Sequence, residues 1–107
     1  MSTMPKYFMY FPDNHRWSAA YVNMLGRGAY GGAEISELHK IGRLLDGKAP
    51  DDDEAWFDAF VKVADEVRAH AERFHRHPVS AASFYLRACH YYQMGERFRT
   101  QIGRAHV

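Results

Sequence analysis

The sequence predicts an all-α protein of about four helices that ends in an antiparallel helical hairpin. Apolar side chains recur at intervals of three and four residues through four separate stretches, which places each set on one helix face. No two segments form a convincing pair of strands. The longest periodic stretch, residues 53–98, is interrupted at Pro78, which lacks an N–H donor and cannot continue a helix. Two helices joined by so short a turn pack antiparallel, and 107 residues form at most one domain.

The first helix is predicted over residues 15–26, where apolar and polar positions alternate with helical spacing. Asp13 or Asn14 can cap it, because both side chains accept hydrogen bonds from the free N–H groups at a helix start. Residues 6–12 precede it and are dense in aromatic side chains. Because no second strand is available to pair with them, we expect an extended strap across the helical core.

A glycine-rich stretch, residues 26–32, follows the first helix. It indicates either a flexible turn or a place where the backbone approaches another group closely. It matches neither the dinucleotide-binding pattern nor the phosphate loop with its Lys-Ser/Thr pair, so phosphate binding is not favoured. Helical spacing returns over residues 33–46, and Asp46-Gly47 ends that second helix.

The hairpin consists of two amphipathic helices with aromatic faces. Asp51 or Asp53 can cap the first of them, with Glu54 at the capping-box position relative to Asp51, and Ser80 can cap the second. The predicted apolar faces are Trp56, Phe60, Val63, Val67, Ala71 and Phe74 on the first helix and Ala81, Phe84, Ala88 and Tyr91 on the second.

Arg87 stands out because it lies among apolar residues of the second hairpin helix. It can extend its charged end to solvent along the apolar surface. Alternatively, it can form a buried ion pair with Glu66 or Asp65 on the facing helix.

The charge balance gives no argument for binding nucleic acid or an anionic membrane. Lysine and arginine number 14, aspartate and glutamate number 13, and the net charge is +1. Cys89 is the only cysteine, so no internal disulfide can form, and a reducing, cytoplasmic setting is expected. No run of about 18 apolar residues is present, so no transmembrane helix is expected.

The residues that could carry chemistry fit known patterns poorly. His70 and His75 are five apart, and His77 precedes the proline, so they are expected to be solvated rather than to bind a metal. Cys89 and His90 are adjacent and point about 100° apart on a helix, so they cannot act as nucleophile and base. No serine lies in a G-x-S-x-G motif. The sequence therefore predicts no catalytic residue, no metal site and no cofactor in this chain.

Four stretches, residues 7–18, 31–38, 52–60 and 80–98, resemble the N-terminal helical region of one group of α/β-hydrolases. That group includes 2,6-dihydroxypseudooxynicotine hydrolase and the fungal hydrolases that shorten polyketide chains in pigment pathways. The D-E-A-W entry to one helix and the S-A-A…Y-L-R-A…Y-Y pattern of the next are the most specific parts of this resemblance.

The resemblance implies that this region acts as a cap over the active-site mouth of a hydrolase domain. It implies a small-molecule substrate, bulky or aromatic, and serine-dependent hydrolysis of a C–C or ester bond next to a carbonyl, without a cofactor. The catalytic groups would belong to a C-terminal hydrolase domain that this chain lacks. Polar or aromatic groups at helix starts and near the glycine-rich turn are well placed to face that substrate: His15, Trp17, Glu34 and Tyr91 are the candidate substrate-binding residues.

The C-terminal residues 102–107 fit no helical stripe. Their sequence, IGRAHV, is what one reading frame of a common short-read sequencing adapter encodes before a stop codon. We therefore expect residues 1–101 to be the helical cap region of a truncated α/β-hydrolase and residues 102–107 not to be native. A cap without its hydrolase domain would expose an apolar helix face, so self-association into a homo-oligomer is a further expectation.

Two other interpretations stay open from the sequence. The first is a stand-alone helical-hairpin module for protein interaction, against which stands the lack of any repeat of about 34 residues. The second is a small metal-binding helical protein that uses His70, His75 and His77.

Overall fold

The computed structural model describes residue 11, residues 14–49 and residues 51–105, and within them it contains helices and no strand. The all-α prediction of four helices is therefore confirmed. The helices are α1 (His15–Gly26), α2 (Ile35–Leu45), α3 (Asp53–Arg73) and α4 (Pro78–Ala105), with one 3₁₀ turn at Arg27–Tyr30 after α1. No helix in the described part combines the length and the hydrophobicity needed to cross a membrane.

The predicted helix bounds agree closely with the observed ones except at the end of α4. This helix continues to Ala105, although residues 102–107 fit no helical stripe in the sequence. Gln101, Arg104 and Ala105 are good helix formers. Gly103, the one glycine of residues 101–105, costs only about 1 kcal/mol in a helix. Apart from Phe11, the predicted strap over residues 6–12 lies outside the described residues.

The predicted antiparallel hairpin is formed by α3 and α4. Near the turn, the rings of Phe74 and Phe84 stack with centroids 5.7 Å apart. At the far end, Trp56 Nε1 donates to the carbonyl of Met94 at 2.9 Å, and the Trp56 ring lies 5.2 Å from that of Phe98. Early residues of α3 thus pair with late residues of α4, which is the antiparallel register.

Each helix start shows which of the predicted caps is used. Asn14 caps α1, because its Oδ1 accepts a hydrogen bond from the N–H of Trp17 at 3.1 Å. Asp52 caps α3 through the N–H of Ala55 at 3.0 Å, so the prediction of Asp51 or Asp53 was wrong by one position.

Asp53 is engaged by α1 instead. Its carboxylate accepts two hydrogen bonds from Arg16 at 2.8 and 3.0 Å. At the start of α4, Pro78 is the first helical residue, where its missing N–H costs nothing. Ser80 lies in the first turn, exposed, rather than at the cap.

The core lies where α1 and α2 pack on the hairpin. The Trp17 and Trp56 ring centroids are 5.5 Å apart, and Phe11 contacts Trp17 and Tyr21 edge-on at 5.7 and 5.5 Å. The largest fully buried side chains are Trp17, Trp56, Tyr21, Tyr91, Phe60, Met24, Leu38, Ile41, Leu45 and Val63.

At two glycines the backbone lies close to a neighbouring part of the molecule. A Cβ on Gly95 would lie 2.9 Å from the Cβ of Phe60, so its absence brings α4 close to α3. A Cβ on Gly32 would lie 2.7 Å from the ring of His90, so the glycine-rich turn packs directly against α4. Of the two alternatives for that turn, close backbone approach therefore applies, and Gly31 supplies the positive φ of 81° that ends the 3₁₀ turn.

Candidate functional site

Two of the four predicted site residues, Glu34 and Tyr91, meet between α2 and α4. Glu34 caps α2, with its carboxylate accepting hydrogen bonds from the N–H groups of Ser36 and Glu37, both at 3.2 Å. Its own N–H donates to the Tyr91 hydroxyl at 3.0 Å. The Tyr91 hydroxyl in turn donates to Glu37 Oε1 at 2.7 Å. The start of α2 is thereby fastened to the middle of α4.

Trp17 and His15 stand apart from this contact. Trp17 is 1% exposed, and its Nε1 donates to Asp53 Oδ1 at 3.3 Å, so here it belongs to the core. His15 is the first residue of α1, and its side chain lies outside the described part. Their role toward a substrate stays a prediction.

The Glu34–Tyr91 contact is extended by an ion pair between Glu37 and Arg87. Arg87 Nε and Nη2 donate to the two carboxylate oxygens of Glu37 at 2.8 and 3.2 Å, which is the bidentate geometry that guanidinium favours. The two side chains are only 13% and 17% exposed. Arg87 Nη1 also donates to Ser83 Oγ at 2.8 Å, and its guanidinium lies 4.7 Å from the centre of the Phe84 ring. We call Glu34, Glu37, Arg87 and Tyr91 the polar cluster.

The partner predicted for Arg87 was therefore wrong. Glu66 accepts a hydrogen bond from Lys40 at 2.9 Å, and Asp65 accepts one from the Tyr92 hydroxyl. Arg87 lies on the side of α4 that meets α2, whereas Glu66 and Asp65 lie on α3. Helical spacing alone did not show which helix this side of α4 would face.

The polar cluster shifts the pKa of several of its members. Burial, and then donation to the Glu37 carboxylate, raise the pKa of Tyr91 far above its ordinary value, so its hydroxyl stays protonated. Burial alone would lower the pKa of Arg87, but its pairing with Glu37 outweighs this effect and raises it. The hydrogen bond from the Ser36 hydroxyl lowers the pKa of Glu34. Near neutral pH, these three shifts keep the Tyr91 hydroxyl protonated, Arg87 charged and Glu34 ionised.

A groove runs beside the polar cluster, between α2 and α3 and up to Phe84 of α4. Its upper part has a volume of about 330 Å³ and is lined by Ser36, Glu37, Lys40, Val63, Glu66, Val67, His70 and Phe84. Its lower part, of about 370 Å³, is lined by Lys40, Arg43, Leu44, Lys62, Val63 and Glu66. The two parts share Lys40, Val63 and Glu66, so they adjoin each other at the Lys40–Glu66 ion pair, and we call them together the central groove.

The central groove has an apolar floor and a charged rim. Val63 and Val67 belong to the hydrophobic core and form the floor, and the Phe84 ring closes one end. On the rim, the hydrogen bond from Lys40 lowers the pKa of Glu66, so this carboxylate is ionised at neutral pH. Each part has a volume in the range of small-molecule sites, and the groove combines apolar walls with a few polar groups.

The three histidines of the metal hypothesis are engaged separately. The His70 ring stacks on Phe84 with centroids 5.7 Å apart, and that of His77 contacts Phe74 edge-on at 6.3 Å. His75 Nδ1 lies 3.2 Å from the backbone carbonyl of Glu72. Within the described residues, no three potential ligand side chains come together in a way that could hold a metal ion.

Sequence reasoning missed the rim of the central groove. Lys40 and Arg43 are three apart on α2, and Lys62 and Glu66 are four apart on α3, so each pair shares a helix face. That signal was present, but it indicated only two solvated faces. The way in which α2 lies against α3 decides that the two faces meet.

Comparisons of the chain with protein-family models, with curated proteins and with solved structures gave no match.

Proposed function

We propose that this chain is the N-terminal helical cap region of an α/β-hydrolase that acts on C–C or ester bonds next to a carbonyl in bulky or aromatic substrates. The proposal rests on the four sequence stretches that resemble this family. In the structure, residues 15–18 of the first stretch fall on α1, and the other three stretches fall on the start of α2 with the turn before it, on the start of α3 and on most of α4, while residues 7–10, 12 and 13 lie outside the described part. By itself the chain would be catalytically incomplete, and the nucleophile, the histidine and the acid would come from the hydrolase domain.

An exposed apolar stripe on α4 is the structural observation that supports the proposal. Val79 is 87% exposed and Leu86 43% exposed, and they lie on the helix face opposite the hairpin contact. Ala82 and Cys89 are exposed on the same face, at steps of three and four residues. We call these four residues the α4 stripe. A continuous apolar helix face in contact with water is typical of a surface that another domain or chain covers.

The α4 stripe also favours the second candidate, a stand-alone module that binds a partner helix. Steps of three, four and three residues are the spacing of a helix-to-helix seam. For this function the partner would be a separate chain, and the hairpin would act as a binding surface without chemistry.

Reading the native gene separates the two candidates. The nucleotide sequence should be determined from source DNA across and beyond codon 101. For the cap, we expect the reading frame to continue into a strand-rich segment with a G-x-S-x-G motif, and IGRAHV to be absent. A native stop after Val107 would overturn the cap proposal and leave the interaction module.

A further inference from the structure

We propose that the central groove binds a small amphipathic anion, a ligand with a flat apolar body and one carboxylate or phosphate group. This inference does not depend on the hydrolase proposal, because it concerns what this chain binds by itself.

The first argument is an excess of positive charge in the lower part of the groove. Lys40, Arg43 and Lys62 all line it, and Glu66 is the only acidic residue among the residues that line it. Lys40 Nζ is 2.9 Å from Glu66 Oε2, and Lys62 Nζ is 3.7 Å from Glu66 Oε1. The Glu66 carboxylate therefore pairs with both lysines, and no acidic residue that lines this part balances the charge of Arg43.

Arg43 is the cation best placed to take a ligand anion. Its side chain is exposed and forms no ion pair with another described residue. Its planar guanidinium can donate two parallel hydrogen bonds to a carboxylate or phosphate. Lys40 and Arg43 are three apart on α2, where like charges repel each other, so a bound anion would relieve that repulsion.

The upper part of the groove explains why the ligand should have an apolar body. Val63 and Val67 line its floor, and Phe84 and His70, whose rings stack on each other, line it as well. Glu37 also lines this part, but its carboxylate is already neutralised by Arg87 and capped by the Tyr91 hydroxyl. An aromatic or branched apolar group can therefore lie there while its anionic group reaches the cations of the lower part.

Binding of naphthoate to the full chain tests this proposal. We expect saturable shifts of backbone amide NMR signals, confined to α2, the middle of α3 and Phe84. Naphthalenemethanol, the neutral analogue, should bind about threefold more weakly, because it carries no charge to pair with the cations of the groove. Naphthyl phosphate in a parallel titration shows whether carboxylate or phosphate is preferred.

Two variants decide whether the groove cations are responsible. Arg43→Gln should raise the dissociation constant of naphthoate by about threefold or more. Arg73→Gln removes the same charge from the exposed end of α3, outside the central groove, and should leave the constant unchanged. The proposal is overturned if both variants bind alike, if the neutral analogue binds as tightly, or if the shifts do not saturate. None of these results bears on the native gene sequence, so failure here and failure of the cap proposal remain distinguishable.

Discussion

At the scale of single residues, the Tyr91 hydroxyl joins the start of α2 to the middle of α4. It accepts from the N–H of Glu34 and donates to Glu37, which itself holds Arg87. Its side chain is completely buried, so water cannot replace these bonds if the hydroxyl is lost. The polar cluster therefore fixes how the start of α2 sits on α4.

Tyr91→Phe should lower the free energy of unfolding by about 1–3 kcal/mol, because a buried N–H and a poorly hydrated carboxylate lose their partner. Urea denaturation followed by circular dichroism measures the change. Tyr85→Phe, at a half-exposed position of the same helix, is the control and should change stability by less than about 0.5 kcal/mol. Equal effects of the two changes would mean that the hydroxyl contact contributes nothing.

Glu34 gives a pH dependence whose sign follows from its lowered pKa. The folded pKa lies below the ordinary value of 4.5, so the carboxylate stabilises the fold above that value. This contribution is lost as the pH falls through the folded pKa. Glu34→Gln should therefore be less stable than the parent near neutral pH, and the difference should shrink steadily below 4.5. Urea titrations at several pH values test this, and a difference that grows in acid would contradict it.

Residue partners were harder to predict from the sequence than residue burial. The apolar spacing correctly placed Trp56, Phe60 and Val63 in the core. The ion-pair partner of Arg87 could not be predicted in the same way, because both α2 and α3 carry carboxylates that could pair with it. The choice depends on the crossing of three helices, and helical spacing does not encode that crossing.

At the scale of elements, α3 and α4 approach each other closely because Gly95 has no side chain. The neighbouring atom is the Cβ of Phe60, which cannot move without its ring and its helix.

The helices themselves could be predicted from the apolar spacing and from Pro78, whereas the predicted capping residue of α3 was wrong by one position. Three successive aspartates offer nearly equal caps; Asp52 caps the helix, and Asp53 instead binds Arg16.

Gly95→Ala should destabilise the protein by about 1 kcal/mol or more, because the overpacking outweighs the gain in helix propensity. Gly26→Ala is the matched control, since a Cβ there meets no atom within 4 Å. It should instead stabilise the protein by about 0.4–1 kcal/mol. Thermal unfolding of both variants measures the signs, and a stabilising Gly95→Ala would show that the two helices are not in close contact.

At the scale of the whole molecule, the α4 stripe means that the isolated chain presents an apolar surface. The all-α architecture could be predicted because it depends on local spacing. The central groove could not, because it exists only where the polar faces of α2 and α3 meet. Of the predicted site residues, Glu34 and Tyr91 come together, while Trp17 is held in the core by Phe11, Trp56 and Asp53.

The isolated chain should bind a dye specific for exposed apolar surface, or should associate with itself as its concentration rises. Leu86→Gln should reduce either effect. Leu25→Gln, at a partly exposed position on α1, is the control and should not. Dye fluorescence together with analytical ultracentrifugation tests this. A monomer that binds no dye would count against a covering domain or partner helix on α4.

The short turn between α3 and α4 has a consequence for the order of folding. Phe74 and Phe84 meet with few residues between them, so closing this end of the hairpin costs little chain entropy. Each contact then shortens the remaining loop, and the pairing can proceed toward Trp56 and Phe98. At that distant end α1 joins the hairpin through Arg16 and Trp17. We therefore expect the hairpin to form first and α1 last, and amide protons of α1 to exchange with solvent faster than those in the middle of α3.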